Sequence, residues 1–156
     1  MKSKIIVLKK SGPIFKQMAG TVLVGGCFDL LHIGHIEFLE KARVCGTRLV
    51  IALESDRFIK EVKKRTPFHN QKERAHLLLA LRSVDYVILL PYLTSEKDYL
   101  DLVLNVNPEV IAVTEGDRFI EHKRRQAKVV GAKVRVVSKY IRGMSTTKRL
   151  EHATKK

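Results

Sequence analysis

The chain has 156 residues, 45% of them hydrophobic, and carries 30 Lys and Arg against 16 Asp and Glu, a net charge of +14. That length and apolar content suit one domain with a real core and exclude a disordered chain, and no apolar run approaches the roughly 20 residues of a membrane span. The positive excess implies an anionic partner, either a polyphosphate ligand or a nucleic acid, and it is uneven: from Arg118 to Arg149 there are eleven basic residues and one acidic, Glu121.

The N-terminal stretch MKSKIIVLKKSGP holds four apolar residues between basic flanks. A secretory signal needs an apolar centre of about 7–15 residues, so a cytoplasmic protein is expected. Cys27 and Cys45 have neither metal-ligand nor disulfide-framework spacing, which fits a reducing compartment. IIVL reads as a short strand, followed by a turn at Ser11-Gly12-Pro13. Residues 1–19 form an extension of unknown role: an added edge strand, an interface arm or a tail. The main domain is expected over 20–156.

TVLVGG (21–26) reads as a buried strand ended by glycine. A helix is expected from Ile33 to Cys45, with Ile36, Leu39 and Ala42 on one face and Gly46 stopping it. TRLVIALES (47–55) is a second strand. DRFIKEVKKRTPFH (56–69) reads as a basic loop. Helix 71–84 and strand 85–90 follow, then a helix from Glu96 to Val106 ended by Asn107-Pro108. EVIAVTEGD (109–117) is a fourth strand, 119–130 a helix, and AKVRVVS (132–138) a fifth strand. A last helix begins at Ser145. Strands that are apolar throughout and alternate with helices predict an α/β fold: a doubly wound, Rossmann-like, five-stranded parallel sheet with helices on both faces. In such sheets ligands sit beyond the carboxyl ends of the strands, at the switch point in strand order.

The stretch GGCFDLLHIGH (25–35) lies at that position. It lacks the G-x-G-x-x-G of a dinucleotide fingerprint and the Gly-Lys-Ser/Thr of a P-loop. His32 and His35 lack the spacing of a zinc helix, and no third ligand is evident, so no protein-held metal is expected. Taken singly, either histidine reads as a core or capping residue. Two of them at a strand-to-helix turn suit phosphate better. A helix N-terminus offers unpaired N–H groups and the positive end of a dipole, and glycine lets backbone approach a ligand closely. The imidazoles can donate to phosphoryl oxygens, where charge builds during nucleotidyl transfer.

G-C-F-D-L-L-H-I-G-H resembles the G-x-F-D-x-x-H-x-G-H signature of the cytidylyltransferase-like nucleotidylyltransferases, which share the HxGH element with class I aminoacyl-tRNA synthetases. The match falls on Gly26, Phe28, Asp29, His32, Gly34 and His35. R-G-M-S-T-T-K (142–148) resembles the family's G-I-S-T-T/S motif before its last helix, where Ser145 is also a suitable N-cap. K-K-R-T-P-F-H-N-Q-K-E-R-A (63–75) resembles the family's basic loop and following helix, with Arg74 at its arginine. P-E-V-I-A-V-T-E-G-D (108–117) resembles the strand and Gly-Asp turn that meets base and ribose. The resemblance spans about residues 20–152.

It implies that a phosphate oxygen of an acceptor attacks the α-phosphorus of a nucleoside triphosphate and pyrophosphate leaves. His32 and His35 would stabilise the transition state. Lys60 or Lys63 would hold the acceptor and α-phosphates, and Arg74 would support that site. Nucleotide contacts would come from Gly26, Cys27, Phe28, Asp29, Gly34, Arg74, Gly116, Asp117, Arg142, Gly143, Ser145, Thr146 and Thr147. Mg²⁺ would bridge the triphosphate. The partners are thus a nucleoside triphosphate and a phosphorylated small molecule, with no membrane. The family's dimeric habit implies a homodimer.

Three branches compete. Cys27, S-D-R-F-I-K, the following R-x-P and A-L-R-S-V-D read like the heptose-phosphate adenylyltransferase type. Glycerol-3-phosphate cytidylyltransferases share R-T-x-G-I-S-T-T-K, but Tyr140 stands at that first arginine, with Arg142 two residues on. Archaeal FAD synthetases are the third branch. ATP as donor and a sugar phosphate as acceptor are favoured. The reading of a different class is a non-catalytic RNA-binding relative, suggested by the charge and by M-S-T-T-K. Against it stand both intact motifs and an aromatic content of 6% without an aromatic-rich binding strand.

Overall fold

A computed structural model describes residues 4–8, 13–14 and 19–139. Six strands form one sheet: β1 (Ile5–Val7), β2 (Thr21–Gly26), β3 (Arg48–Leu53), β4 (Tyr86–Leu89), β5 (Val110–Thr114) and β6 (Lys133–Ser138). The order is β1-β4-β3-β2-β5-β6 and every neighbouring pair is parallel. The sheet therefore has six strands where five were expected. The sixth is the short strand read at IIVL, outside the five counted: Ile5–Val7 adds to the β4 edge with Ile5 opposite Val87, as the edge-strand alternative has it. Three residues are too short to show which edge they join, and the free parallel edge of β4 supplies the hydrogen bonds that they need.

The helices are α1 (Ile33–Arg43), α2 (Asp56–Lys63), α3 (Gln71–Leu79), α4 (Glu96–Val106) and α5 (Ile120–Val130). The central strands are buried on both faces, as apolar runs in a parallel sheet must be. One core layer joins Val22, Val24, Leu49, Ile51 and Leu53 to Phe38, Leu39 and Ala42 of α1 and Ala75 and Leu78 of α3. The other joins Leu23, Val50, Ala52 and Ile88 to Leu102, Val103 and Val106 of α4 and Ala127 of α5. β6 departs from the expectation of strands buried throughout: it is an edge, and Val136 is exposed.

Two expected boundaries move. Residues 56–63 are a helix, not a loop. Ser55 caps it, its hydroxyl accepting from Phe58 N at 3.1 Å, with Asp56 in the first turn and Lys60 and Lys63 in the last, as the helix dipole favours. α3 ends at Leu79, short of the expected 84. Its start is secured by a capping box in which the Asn70 side chain accepts from Glu73 N and the Glu73 carboxylate from Asn70 N. The chain then leaves in tight turns, with Leu81 N bonded to Leu78 O and Val84 N to Leu81 O. The expected last helix from Ser145 lies outside the described residues. Among those described, no helix is long and apolar enough to cross a membrane.

The start of β3 is pinned where Thr47 N and Arg48 N both donate to Gly20 O, at 2.8 and 3.2 Å. A Cβ at Gly46 would lie 2.4 Å from that same oxygen, so only glycine fits the end of the α1 turn.

Candidate active site

β2 runs toward β3 and β4 on one side, and the chain crosses back after α4 to β5 on the other, so strand order switches between β2 and β5. A cavity of about 740 Å³ opens at the carboxyl ends of these strands. The loops after β2 and β5 and those after β3 and β4 line it, as expected for an open α/β sheet.

His32 is the N-cap of α1, in extended backbone, and no side chain caps that terminus. Its carbonyl accepts from His35 N at 2.9 Å and Ile36 N at 3.2 Å. One turn apart, the rings of His32 and His35 stack with centroids 3.8 Å apart and 24° between planes. His35 lines the cavity and meets Phe28 edge-on at 5.2 Å. Phe28 itself has φ +44, a left-handed backbone rare for an aromatic residue. Its ring fills the space that a Gly26 Cβ would need, 2.7 Å away, so Gly26 admits the bend that presents the histidines.

Asp29 is 1% exposed and clamps the loop after α2. Its carboxylate accepts from Phe68 N at 2.9 Å and His69 N at 3.0 Å, and pairs with Arg65. Burial alone would raise its pKa; the bonds from His69, Arg65 and Phe68 outweigh that and hold it below the usual carboxylate range. Burial pushes the Cys27 thiol, on the cavity wall, up to about 11, so it is not a thiolate nucleophile at neutral pH.

Arg74 is placed differently from the nucleotide contact that the sequence suggests. It is fully buried and absent from the cavity wall. Its guanidinium donates to Cys27 O at 2.6 Å, His69 O at 3.1 Å and Asp56 at 2.7 Å. It ties the HxGH loop to α2 and the loop before α3, and so acts on the site from beneath. The two candidate lysines also separate: Lys63 lines the cavity, whereas Lys60 is exposed on another part of α2. Gly116, at φ +74, makes the turn after β5, and Asp117 lines the cavity beyond it. The Asp117 carboxylate is engaged by Lys123 Nζ at 2.6 Å and Phe119 N at 2.8 Å. Arg142, Gly143, Ser145, Thr146 and Thr147 lie outside the described residues.

The structure adds residues that motif reading passed over. Glu54, at the end of β3, is 7% exposed on the cavity wall, and Tyr99 Oη donates to its Oε1 at 2.8 Å. Desolvation raises the Glu54 pKa to about 7, against the opposing pull of the Tyr99 bond and of Arg74, Lys123 and Lys63. Burial and the Glu54 carboxylate push the Tyr99 hydroxyl up, so it stays a donor. The available signal was a carboxylate closing the buried run LVIAL. No group of three or more His, Cys, Asp or Glu among the described residues is arranged to hold a metal ion.

The family described as cytidylyltransferase-like matches residues 23–152. The bifunctional protein HldE of Geobacter sulfurreducens is 38% identical over 137 residues, covering 86% of this chain and 27% of that protein. The chain thus spans about a quarter of that relative's length. The FAD synthase of Thermococcus onnurineus is 42% identical over 100 residues, 63% of each chain. Among solved structures, the lipopolysaccharide core biosynthesis protein of Thermoplasma volcanium aligns with a TM-score of 0.63 and 26% identity, covering 80% of this chain and 98% of that one. A pantoate-beta-alanine ligase of Francisella tularensis shares the fold, with a TM-score of 0.62 and 14% identity, over 95% of this chain and 73% of its own. The histidine pair at the switch point and the family match over most of the chain agree: this chain belongs to the cytidylyltransferase-like family of nucleotidyltransferases.

Proposed function

We propose that the chain transfers AMP from ATP to a phosphate-bearing small molecule, a sugar phosphate in the first reading, and releases pyrophosphate. The observation that carries this is the stacked His32–His35 pair at the N-terminus of α1, with His35 facing a cavity at the switch point. In the reaction an acceptor phosphate oxygen forms a bond to the α-phosphorus. The bond from that phosphorus to the bridging oxygen breaks, and pyrophosphate leaves with the electron pair. No proton need be gained or lost, so the chain's task is orientation and stabilisation of charge. His35, with His32 stacked on it, and the α1 amides would donate to the α-phosphoryl oxygens. Lys63, reaching the cavity from α2, would hold the acceptor phosphate.

Asp29 and Asp117 are already engaged by cations and amides of the chain. Mg²⁺ would therefore come with the triphosphate and not be held in a cage of these carboxylates. When bound it would supply charge neutralisation on the triphosphate.

Phe58 and Tyr92 on the cavity wall favour FMN as the second acceptor reading, in line with the FAD synthase relative. The test is pyrophosphate release with Mg²⁺, using ATP or CTP against heptose 1-phosphate, glycerol 3-phosphate and FMN. One productive pair, lost in His35→Ala with the melting temperature retained, supports the reading. Normal turnover by His35→Ala, or neither turnover nor nucleotide binding by the wild type, overturns it.

A further inference from the structure

Several segments share the cavity wall. The β2–β5 switch point holds the histidines and is where the triphosphate belongs on the reading above. The segments after β3 and β4 contribute Phe58, Leu90 and Tyr92, with Lys63 of α2 and Tyr99 of α4. Among them stands the carboxyl group of Glu54. It is more than nine-tenths buried, and its Oε2 finds no hydrogen-bond partner among the described residues. A buried carboxylate oxygen left unpaired is costly and rarely kept without use. Tyr99 occupies Oε1 and fixes the side chain. A donor brought by a ligand would supply the partner that Oε2 lacks among the described residues.

Resting on that reading, we propose that Glu54 selects the acceptor: it receives a hydrogen bond from an O–H or N–H group that the acceptor carries away from its phosphate, while Lys63 holds the phosphate. A sugar hydroxyl and the ring N–H of a flavin both supply that chemistry. A site built around a buried acceptor rejects molecules that leave it unpaired far more strongly than an apolar pocket does. The charged and titratable groups around Glu54 come from every adjoining element: Lys63 of α2, Arg74 of α3, Tyr99 of α4, Lys123 of α5, and the Cys27 thiol after β2.

Glu54→Gln and Tyr99→Phe test this in the full chain, with KM and kcat measured for each acceptor at pH 8 and nucleotide affinity measured separately. Glu54→Gln should raise the KM of the productive acceptor at least tenfold. The kcat at saturation and the affinity for ATP should stay within about threefold. Tyr99→Phe, which keeps the carboxylate but frees its rotation, should raise the same KM less. Comparison of heptose 1-phosphate with FMN identifies the source of the donor. If wild type turns over and Glu54→Gln keeps its acceptor KM, Glu54 is not the selector, whatever the fate of the broader reading. If wild type neither binds nor turns over any acceptor, the reading fails and takes this proposal with it.

Discussion

Burial at Glu54 makes its proton harder to remove in the folded chain than in the unfolded one, raising its pKa from 4.5 to about 7. The contribution to stability is complete below the unfolded value and is lost as pH rises through about 7. Above that, the folded state carries a poorly solvated charge. Glu54→Gln should therefore raise the melting temperature at pH 8, by a few degrees, and change it little or lower it at pH 5. Melts at the two pH values check this, and the opposite ordering contradicts it. Arg74 makes the contrary case, a buried cation with every partner in place. Arg74→Ala should cost about 3 kcal/mol or more, because Asp56 loses its partner and the Cys27 and His69 carbonyls lose theirs; denaturant unfolding measures it. HxGH was readable at this scale because its spacing is the chemistry. Glu54 was not, since one carboxylate after LVIAL carries no spacing, and its meaning comes only from the desolvation that folding imposes. For Arg74, read both as a support of the site and as a nucleotide contact, the motif named the residue type but did not say which side of the loop it faces.

The strands were legible as elements because each is an apolar run bounded by polar or glycine residues, and burial on both faces demands that pattern. α2 was not. Phe58, Ile59 and Val62 have helical spacing, but only Ile59 is buried, and the surrounding charges read as loop. Its position has a functional consequence, because one face of a short helix separates two lysines. Lys63→Ala should lower kcat/KM by roughly tenfold or more, whereas Lys60→Ala should leave it within twofold; steady-state kinetics on the productive pair decides. The loop that follows depends on Asp29 for its anchorage. Asp29→Ala leaves the Phe68 and His69 amides without their acceptor, at a cost of about 1–3 kcal/mol. Trypsin should then cut at Lys64 or Arg65 faster than in wild type; equal rates would show that the loop is held by other means.

Across the whole molecule, the net charge of +14 suits highly anionic substrates without invoking a nucleic acid. The two explanations separate by salt. Binding of ATP should weaken modestly between 50 and 200 mM salt, whereas an RNA-binding surface that neutralises many phosphates would lose affinity by about 10³-fold or more over such a range. The doubly wound architecture was legible from the order of apolar and amphipathic segments, but which strand closes each edge was not, because periodicity does not encode neighbours separated by long stretches of chain. β1 shows why. Ile5 pairs with Val87, 87 − 5 = 82 positions later, with β2, β3 and three helices between them. During synthesis, Ile5-Ile6-Val7-Leu8 must wait, sticky and unpaired, until the β4 edge has been made and folded. Lys4 precedes this tetrapeptide and Lys9 and Lys10 follow it, so like-charge repulsion on both sides discourages nascent chains from joining one another through it. The basic flanks of the first strand thus act as gatekeepers during translation, before the cavity exists.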